Sequence, residues 1–184
     1  TSRPLSLTYT PNEGKIEEEG ELSPETTFQS NLPVLKGSTE GLAYSISSIS
    51  PSTDKITIDP TTGVLSVAAH HGFKDGEKYE ISVKVINEFS TEGVVFENVF
   101  TLNAVEFIEP IANFGYTNVE EVQAVEIDIQ KNDNFKGDEV KYEFVDLATE
   151  LQGQLNLDLD GNITIKKGNT IPVGQYTIQV MATN

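Results

Sequence analysis

Residues 43–87 of this chain return at 141–184, and no other feature limits the fold so strongly. Tyr44 and Ile46 recur as Tyr142 and Phe144, and Ile56, Ile58 and Asp59 recur as Leu155, Leu157 and Asp158. Gly63 recurs as Gly161, and Tyr79, Ile81, Val83 and Val85 recur as Tyr176, Ile178, Val180 and Ala182. The spacing stays at 97–99 residues, far longer than the roughly 20–50 of solenoid or propeller units and close to the length of one seven-stranded sandwich. The expected organisation is therefore two tandem all-β modules, residues 1–107 and 108–184, with the seam at Glu106–Pro110. Two sandwiches on so short a linker are expected to form an elongated rod. Segment 88–106 has no counterpart after Asn184, so the second module is expected to lack its last strand and the chain to be part of a longer protein.

The strand pattern agrees with the repeat. From Lys78 to Asn87, Tyr79, Ile81, Val83 and Val85 alternate with Glu80, Ser82 and Lys84, which puts four apolar side chains on one face of a half-buried strand. Ile56–Ile58 and Val64–Val67 flank a turn that contains both Pro60 and Gly63. Val94–Val105 is expected as a long strand, with Phe100, Leu102 and Ala104 on one face. Val119, Val122 and Val125 have helical spacing but run into the alternation Val125, Ile127, Ile129, so that segment too is expected as a strand.

Charge removes several functional classes. The formal net charge is −17, from 29 acidic and 12 basic residues, a surface that repels phosphate backbones and anionic headgroups. Neither nucleic acid nor direct membrane insertion is expected, and no apolar run approaches the roughly 20 residues of a membrane-spanning helix. With no cysteine, disulfide and thiolate–metal frameworks are excluded.

The segments ITIDPTTGVLSV and YEISVKVIN resemble the cadherin-like and immunoglobulin-like repeats of bacterial surface proteins. Those repeats carry an I-D-x-x-T-G-x-I/L turn and then Y-x-I-x-V-x-A-x-N. The opening PLSLTYTPNEGKIEEEGELSP is similar to their first strands, with Tyr9 and Pro11 in place. The resemblance covers most of the first module and the latter half of the second. It implies immunoglobulin/cadherin-like Greek-key β-sandwiches from a secreted or outer-membrane-anchored protein of Bacteroidetes type, with the anchor outside this chain. Such modules serve in adhesion, or as spacers that hold a ligand-binding domain away from the cell.

True cadherins would also imply calcium, and this sequence does not support it. A hard divalent cation wants six to eight converging oxygens, and the seam offers Glu106, Glu109 and Asn113. Residues around Ala68–Gly72 stand where cadherins carry their mid-domain acidic motif, and Asn132-Asp133-Asn134 lies well inside the second module. No cofactor is expected. Asp158, Asp160 and Asn162 have the opening spacing of an EF-hand loop, but Ile163 stands where that loop needs glycine and Asn169 where it needs glutamate. Asp158, Asp160 and Asn162 are therefore expected in an ordinary Asp-Gly hairpin turn.

The remaining candidates are few. His70 and His71 point to opposite faces of an extended chain and are expected in a solvated loop. The acidic run Glu17, Glu18, Glu19 and Glu21 is expected to be a solvated loop or an edge strand that discourages edge pairing. Glycan binding would need exposed aromatic platforms. There is no tryptophan, and the loop or seam aromatics are Phe73, Phe89 and Tyr116, with Tyr116 and Phe114 expected to pack at the seam. No enzymatic motif is present. The expected function is a non-catalytic extracellular module pair in adhesion or spacing, meeting a protein or glycan at a surface. The alternatives are glycan binding in polysaccharide capture, or an accessory region of an extracellular enzyme.

Overall fold

A computed structural model describes residues 2–20, 23–120 and 125–184, so Glu21 of the acidic run and Val122 lie outside the described residues. The chain divides into two compact units, Thr1–Phe107 and Ile108–Asn184. Among the described residues both units are built from strands, and the helical content is a single 3-10 turn at Thr149–Leu151.

In the first unit the strands are β1 (Ser6–Thr8), β2 (Glu13–Glu17), β3 (Phe28–Gln29), β4 (Val34–Lys36), β5 (Ala43–Ser50), β6 (Ile56–Ile58), β7 (Leu65–Val67), β8 (Lys78–Asn87) and β9 (Ser90–Val105). One sheet has the order β2-β9-β8-β5 and another the order β3-β7-β6, while β1 pairs with β4. All pairings are antiparallel except β2 with β9. Tyr79, Ile81, Val83 and Val85 of β8 are buried, as their alternation requires. They share one core with Phe100, Leu102 and Ala104 of β9, Ile16 of β2, Ile56 of β6, and Leu65 and Val67 of β7. Side chains from both sheets thus form the filling of a sandwich.

Where strict alternation fails, a polar side chain repairs the ladder. The β8–β9 register shifts between Ile81 and Val83, and Asn98 on β9 takes a positive φ of 50°. The buried Ser82 hydroxyl accepts the Asn98 backbone N–H at 2.9 Å, which satisfies a donor that the bulge would otherwise leave unpaired.

In the second unit the strands are β10 (Ile127–Ile129), β11 (Lys141–Val145), β12 (Leu155–Leu157), β13 (Ile163–Ile165) and β14 (Gln179–Thr183). The sheet β10-β13-β12 and the pair β11-β14 are antiparallel, and Ile129, Leu151, Leu155, Ile163 and Ile165 form the buried core. The strand expected from Val119 onward begins at Ile127; Val119 and Val125 lie outside it and stay exposed. Ile127 and Ile129 pair across to Ile165 and Ile163.

The repeat extends further than residues 43–87. Lys36-Gly37-Ser38 has its counterpart in Lys136-Gly137-Asp138, with φ of +143° at Gly37 and +145° at Gly137. Asn87 closes β8 by donating to the carbonyls of Ser2 and Ser38, and its repeat partner Asn184 donates to those of Glu109 and Asp138. The asparagine ending the Y-x-I-x-V-x-A-x-N pattern thus ties the last matched strand to the start of its own unit in both copies.

Candidate functional site: a polar cleft in the second unit

The turn at Asp158 shows how the candidate residues are held. Its Oδ1 accepts the backbone N–H groups of Asp160 and Asn162, each at 2.9 Å, and the Asp158 N–H donates to the Asn162 carbonyl at 3.0 Å. The first unit repeats the device, with Asp59 Oδ1 accepting from Thr61 at 2.8 Å and Thr62 at 3.0 Å. The N–H groups of Thr62 and Thr61 hold the Asp59 carboxyl below its ordinary range. Gly161 and Gly63 complete the turns at φ of +83° and +76°.

A tyrosine clamp secures each turn. The Tyr9 hydroxyl donates to the Gly63 carbonyl at 2.6 Å, and the Tyr116 hydroxyl donates to the Gly161 carbonyl. The ring of a second tyrosine, Tyr44 or Tyr142, packs close against the glycine. Burial pushes the Tyr116 hydroxyl up to about 12, with Tyr142 and Asp158 adding to the effect. Tyr116 is therefore a half-buried structural residue of the second unit rather than an exposed platform. It stacks edge-on with Phe114, which also meets Phe135 and Tyr142. Phe114 and Tyr116, expected at the seam, thus take part in an aromatic cluster within the second unit.

Two other candidates need correction. Phe73 is 3% exposed, sandwiched between the rings of His71 and Tyr79, because it extends the apolar face of β8. His71 is buried, not solvated, while His70 is exposed beside Glu25. The His71 Nδ1 accepts the Phe73 N–H at 2.9 Å, so Nε2 carries the proton, directed at Thr26 Oγ1 (2.8 Å) and Glu19 Oε1 (3.1 Å). Phe89 is 53% exposed at the β8–β9 hairpin, as expected, but no other exposed aromatic of the candidate set joins it.

The latch at His71 has a pH consequence. Burial lowers the His71 pKa against the opposing pull of Glu19 and Glu77. Burial raises Glu19, but the N–H groups of Thr26 and His70 and the His71 ring outweigh it and leave the carboxyl low. The unfolded chain therefore binds more protons as pH falls below about 6.5, and stability drops there, with a further loss when Glu19 protonates at lower pH. Urea midpoints of the whole chain should fall between pH 7.5 and 5.5, and His71→Asn should flatten that slope. An unchanged slope would remove the latch as its cause.

The described residues of the second unit also form a shallow cleft. Two adjoining lobes of about 400 and 470 Å3 share Gln130, Lys131, Asn132 and Asp133, and are completed by Thr117, Asn134, Phe135, Asp160 and Asn162. The segment after β10 forms one wall and the Asp158 turn the other, stitched together where the Lys131 N–H donates to Asn162 Oδ1 at 3.0 Å. Lys131 Nζ bonds the Tyr142 hydroxyl at 3.0 Å and sits 4.1 Å over the Phe135 ring. Asn132 and Asn113 brace the segment by donating to the carbonyls of Asn113 and Asn134. The cleft's lining therefore presents amides, two carboxylates, one ammonium and the Phe135 ring. Asp160 and Asn162, singled out for metal spacing, border it, whereas Asp158 is occupied by its own turn. Asn132-Asp133-Asn134 lines the cleft with Asp160, a proximity that its local pattern does not encode. Among the described residues no group of three or more His, Asp or Glu side chains is placed to hold a metal ion.

Residues 7–105 match the family model of the third Ig-like domain of BT4661, and residues 109–184 that of its fourth Ig-like domain. Among solved structures, the chain is similar to BT4661, described as a SusE-like surface-located polysaccharide-binding protein from the heparin utilisation locus of Bacteroides thetaiotaomicron. Identity is 69% over 97% of this chain, with a TM-score of 0.60, and the chain spans 25% of that chain's length. The human desmocollin-1 ectodomain is 13% identical over 90% of this chain and 34% of its own, at a TM-score of 0.42. Human protocadherin-24 EC1-2 is 13% identical over 98% of this chain and 94% of its own, at 0.40. No curated protein matches the chain.

Proposed function

Since the chain belongs to the family of BT4661 Ig-like domains, we propose that it is a non-catalytic module pair of a bacterial surface protein that captures polysaccharide. The observation that carries this is the match of both units, in order, to consecutive domains of a surface-located polysaccharide-binding protein. It favours the glycan-capture alternative over adhesion. The immunoglobulin-like, tandem and surface character expected from the turn and strand motifs is in keeping with the same match. The partner is a glycan at the cell surface, and no described helix is long and apolar enough to cross a membrane.

The cleft supports direct contact with sugar. Amide and carboxylate side chains at Gln130, Asn132, Asp133, Asn134, Asp160 and Asn162 match the dense donor–acceptor pattern of sugar hydroxyls. Its size lies in the lower part of the roughly 300–1,000 Å3 of small-ligand clefts. Affinity electrophoresis of the whole chain through gels containing heparin, dextran, mannan or galactan tests the proposal. Retardation by at least one polysaccharide is expected. Free migration in all of them would leave these modules as spacers that hold a binding domain elsewhere in the protein.

A further inference from the structure

We propose that segment 70–74 of the first unit is a strap released by a single proton: the neutral His71 ring holds it shut, and protonation at Nδ1 opens it locally while the sandwich stays folded. The segment lies between β7 and β8 and belongs to no strand. It is tied to the chain after β2, above all through Glu19. Glu19 Oε1 accepts the His70 N–H at 3.0 Å and lies 3.1 Å from His71 Nε2. The Glu19 N–H donates to the Phe73 carbonyl at 3.1 Å, and its own carbonyl accepts from Lys74 Nζ at 2.9 Å. Within the strap, His71 Nδ1 accepts the Phe73 N–H at 2.9 Å and the two rings lie 4.7 Å apart.

Nδ1 can take the Phe73 N–H only while it carries no proton. Nε2 already holds one toward Thr26 Oγ1 and Glu19, so a second proton goes to Nδ1 and sets donor against donor. The side chain is 0% exposed, which makes the charge costly as well. Glu19 and Glu77 favour the imidazolium, but burial outweighs them and keeps the ring neutral. Glu77 is engaged by the Tyr79 hydroxyl and the Lys74 N–H, Glu25 pairs with His70, and the Lys74 ammonium adds positive charge at Glu19. Once the strap is open, the imidazole takes its proton near the ordinary histidine value of about 6.5. The open form therefore gains up to about tenfold between about pH 7.5 and about pH 5.5. Opening leaves Ile81 and Val83 of β8 paired on both sides, with β5 and β9.

Amide exchange of the whole 184-residue chain, corrected for intrinsic rates and read at Phe73, Ile81 and Val83, is the test. Phe73 is expected to lose about tenfold in protection between about pH 7.5 and about pH 5.5. It should also exchange faster than Ile81 and Val83 and respond little to about 1 M urea, the sign of an opening that exposes little surface. His71→Asn keeps an acceptor for the Phe73 N–H in its Oδ1 but does not titrate, so protection at Phe73 should then be equal at both pH values. Glu19→Gln keeps Oε1 as an acceptor and should retain the pH dependence. Exchange at Phe73 that matches Ile81 and Val83 in rate and urea response would show that the segment opens only with the whole unit, and would overturn the strap. A pH dependence that survives His71→Asn, or that vanishes in Glu19→Gln, would overturn His71 as its trigger.

Discussion

Phe100→Ala is expected to destabilise the first unit by about 3–5 kcal/mol, the cost of emptying a large aromatic site in a close-packed core. Phe100 is 2% exposed and joins strands of both sheets. Its ring meets Tyr9 edge-on at 5.6 Å and Phe28 at 5.7 Å. Phe28 in turn reaches it across Gly14, where a Cβ would fall 2.6 Å from the Phe28 ring. With its neighbours held by β2 and β3, the site cannot collapse to fill the void. The exposed Phe89, on the same hairpin, gives the control: Phe89→Ala should change stability by less than about 0.5 kcal/mol. Urea unfolding of the full chain, with amide exchange read at β8 and β9, distinguishes the two. Equal effects would refute this placement of the core.

Gly161→Ala should be the most damaging single-methyl change in the second unit. The position holds φ of +83°, which costs an L-residue roughly 1–2 kcal/mol. The new Cβ would also lie 2.6–2.7 Å from the Tyr142 ring, and that overpacking adds about 1–3 kcal/mol. Gly168 separates the two costs. It has a φ of +74°, but a Cβ added there would meet nothing within 4 Å, so Gly168→Ala should show the backbone cost alone. The loss at Gly161 should also slacken the Tyr116 clamp and the Asp160 wall of the cleft. Amide exchange at Asn162 and Lys131 would report it. Equal stability losses at the two glycines would show that the Tyr142 ring yields without cost.

Much of the fold was legible in the chain because sandwiches obey a period of two. Tyr79, Ile81, Val83 and Val85 could be assigned to one face from spacing alone, and all four are buried. The turns at Asp59 and Asp158 were legible because a carboxylate followed by glycine has few other ways to satisfy its backbone. The long-range partners were not. Tyr9 and Gly63 are separated by 54 residues, and Tyr116 and Gly161 by 45, so no local pattern announces either clamp.

The same distance explains the misplaced site residues. Phe73 and His71 occupy a segment without regular alternation, where polarity suggests solvent. Burial came from Tyr79 packing on Phe73, and from Thr26 and Glu19 arriving to bond the imidazole. Likewise the cleft joins Gln130–Asn134 to Asp160 and Asn162, two segments that carry no shared motif.

By itself, the sequence determined that the chain is two copies of one all-β unit, which strands alternate, and where the Asp-Gly turns fall. Each of these follows from short-range constraints: side-chain parity along a strand, backbone sterics at glycine, and a repeat that preserves both. Tertiary structure alone decided which polar residues are buried and which meet across a cleft. Those outcomes depend on pairings between distant segments, whose closure a linear pattern does not encode.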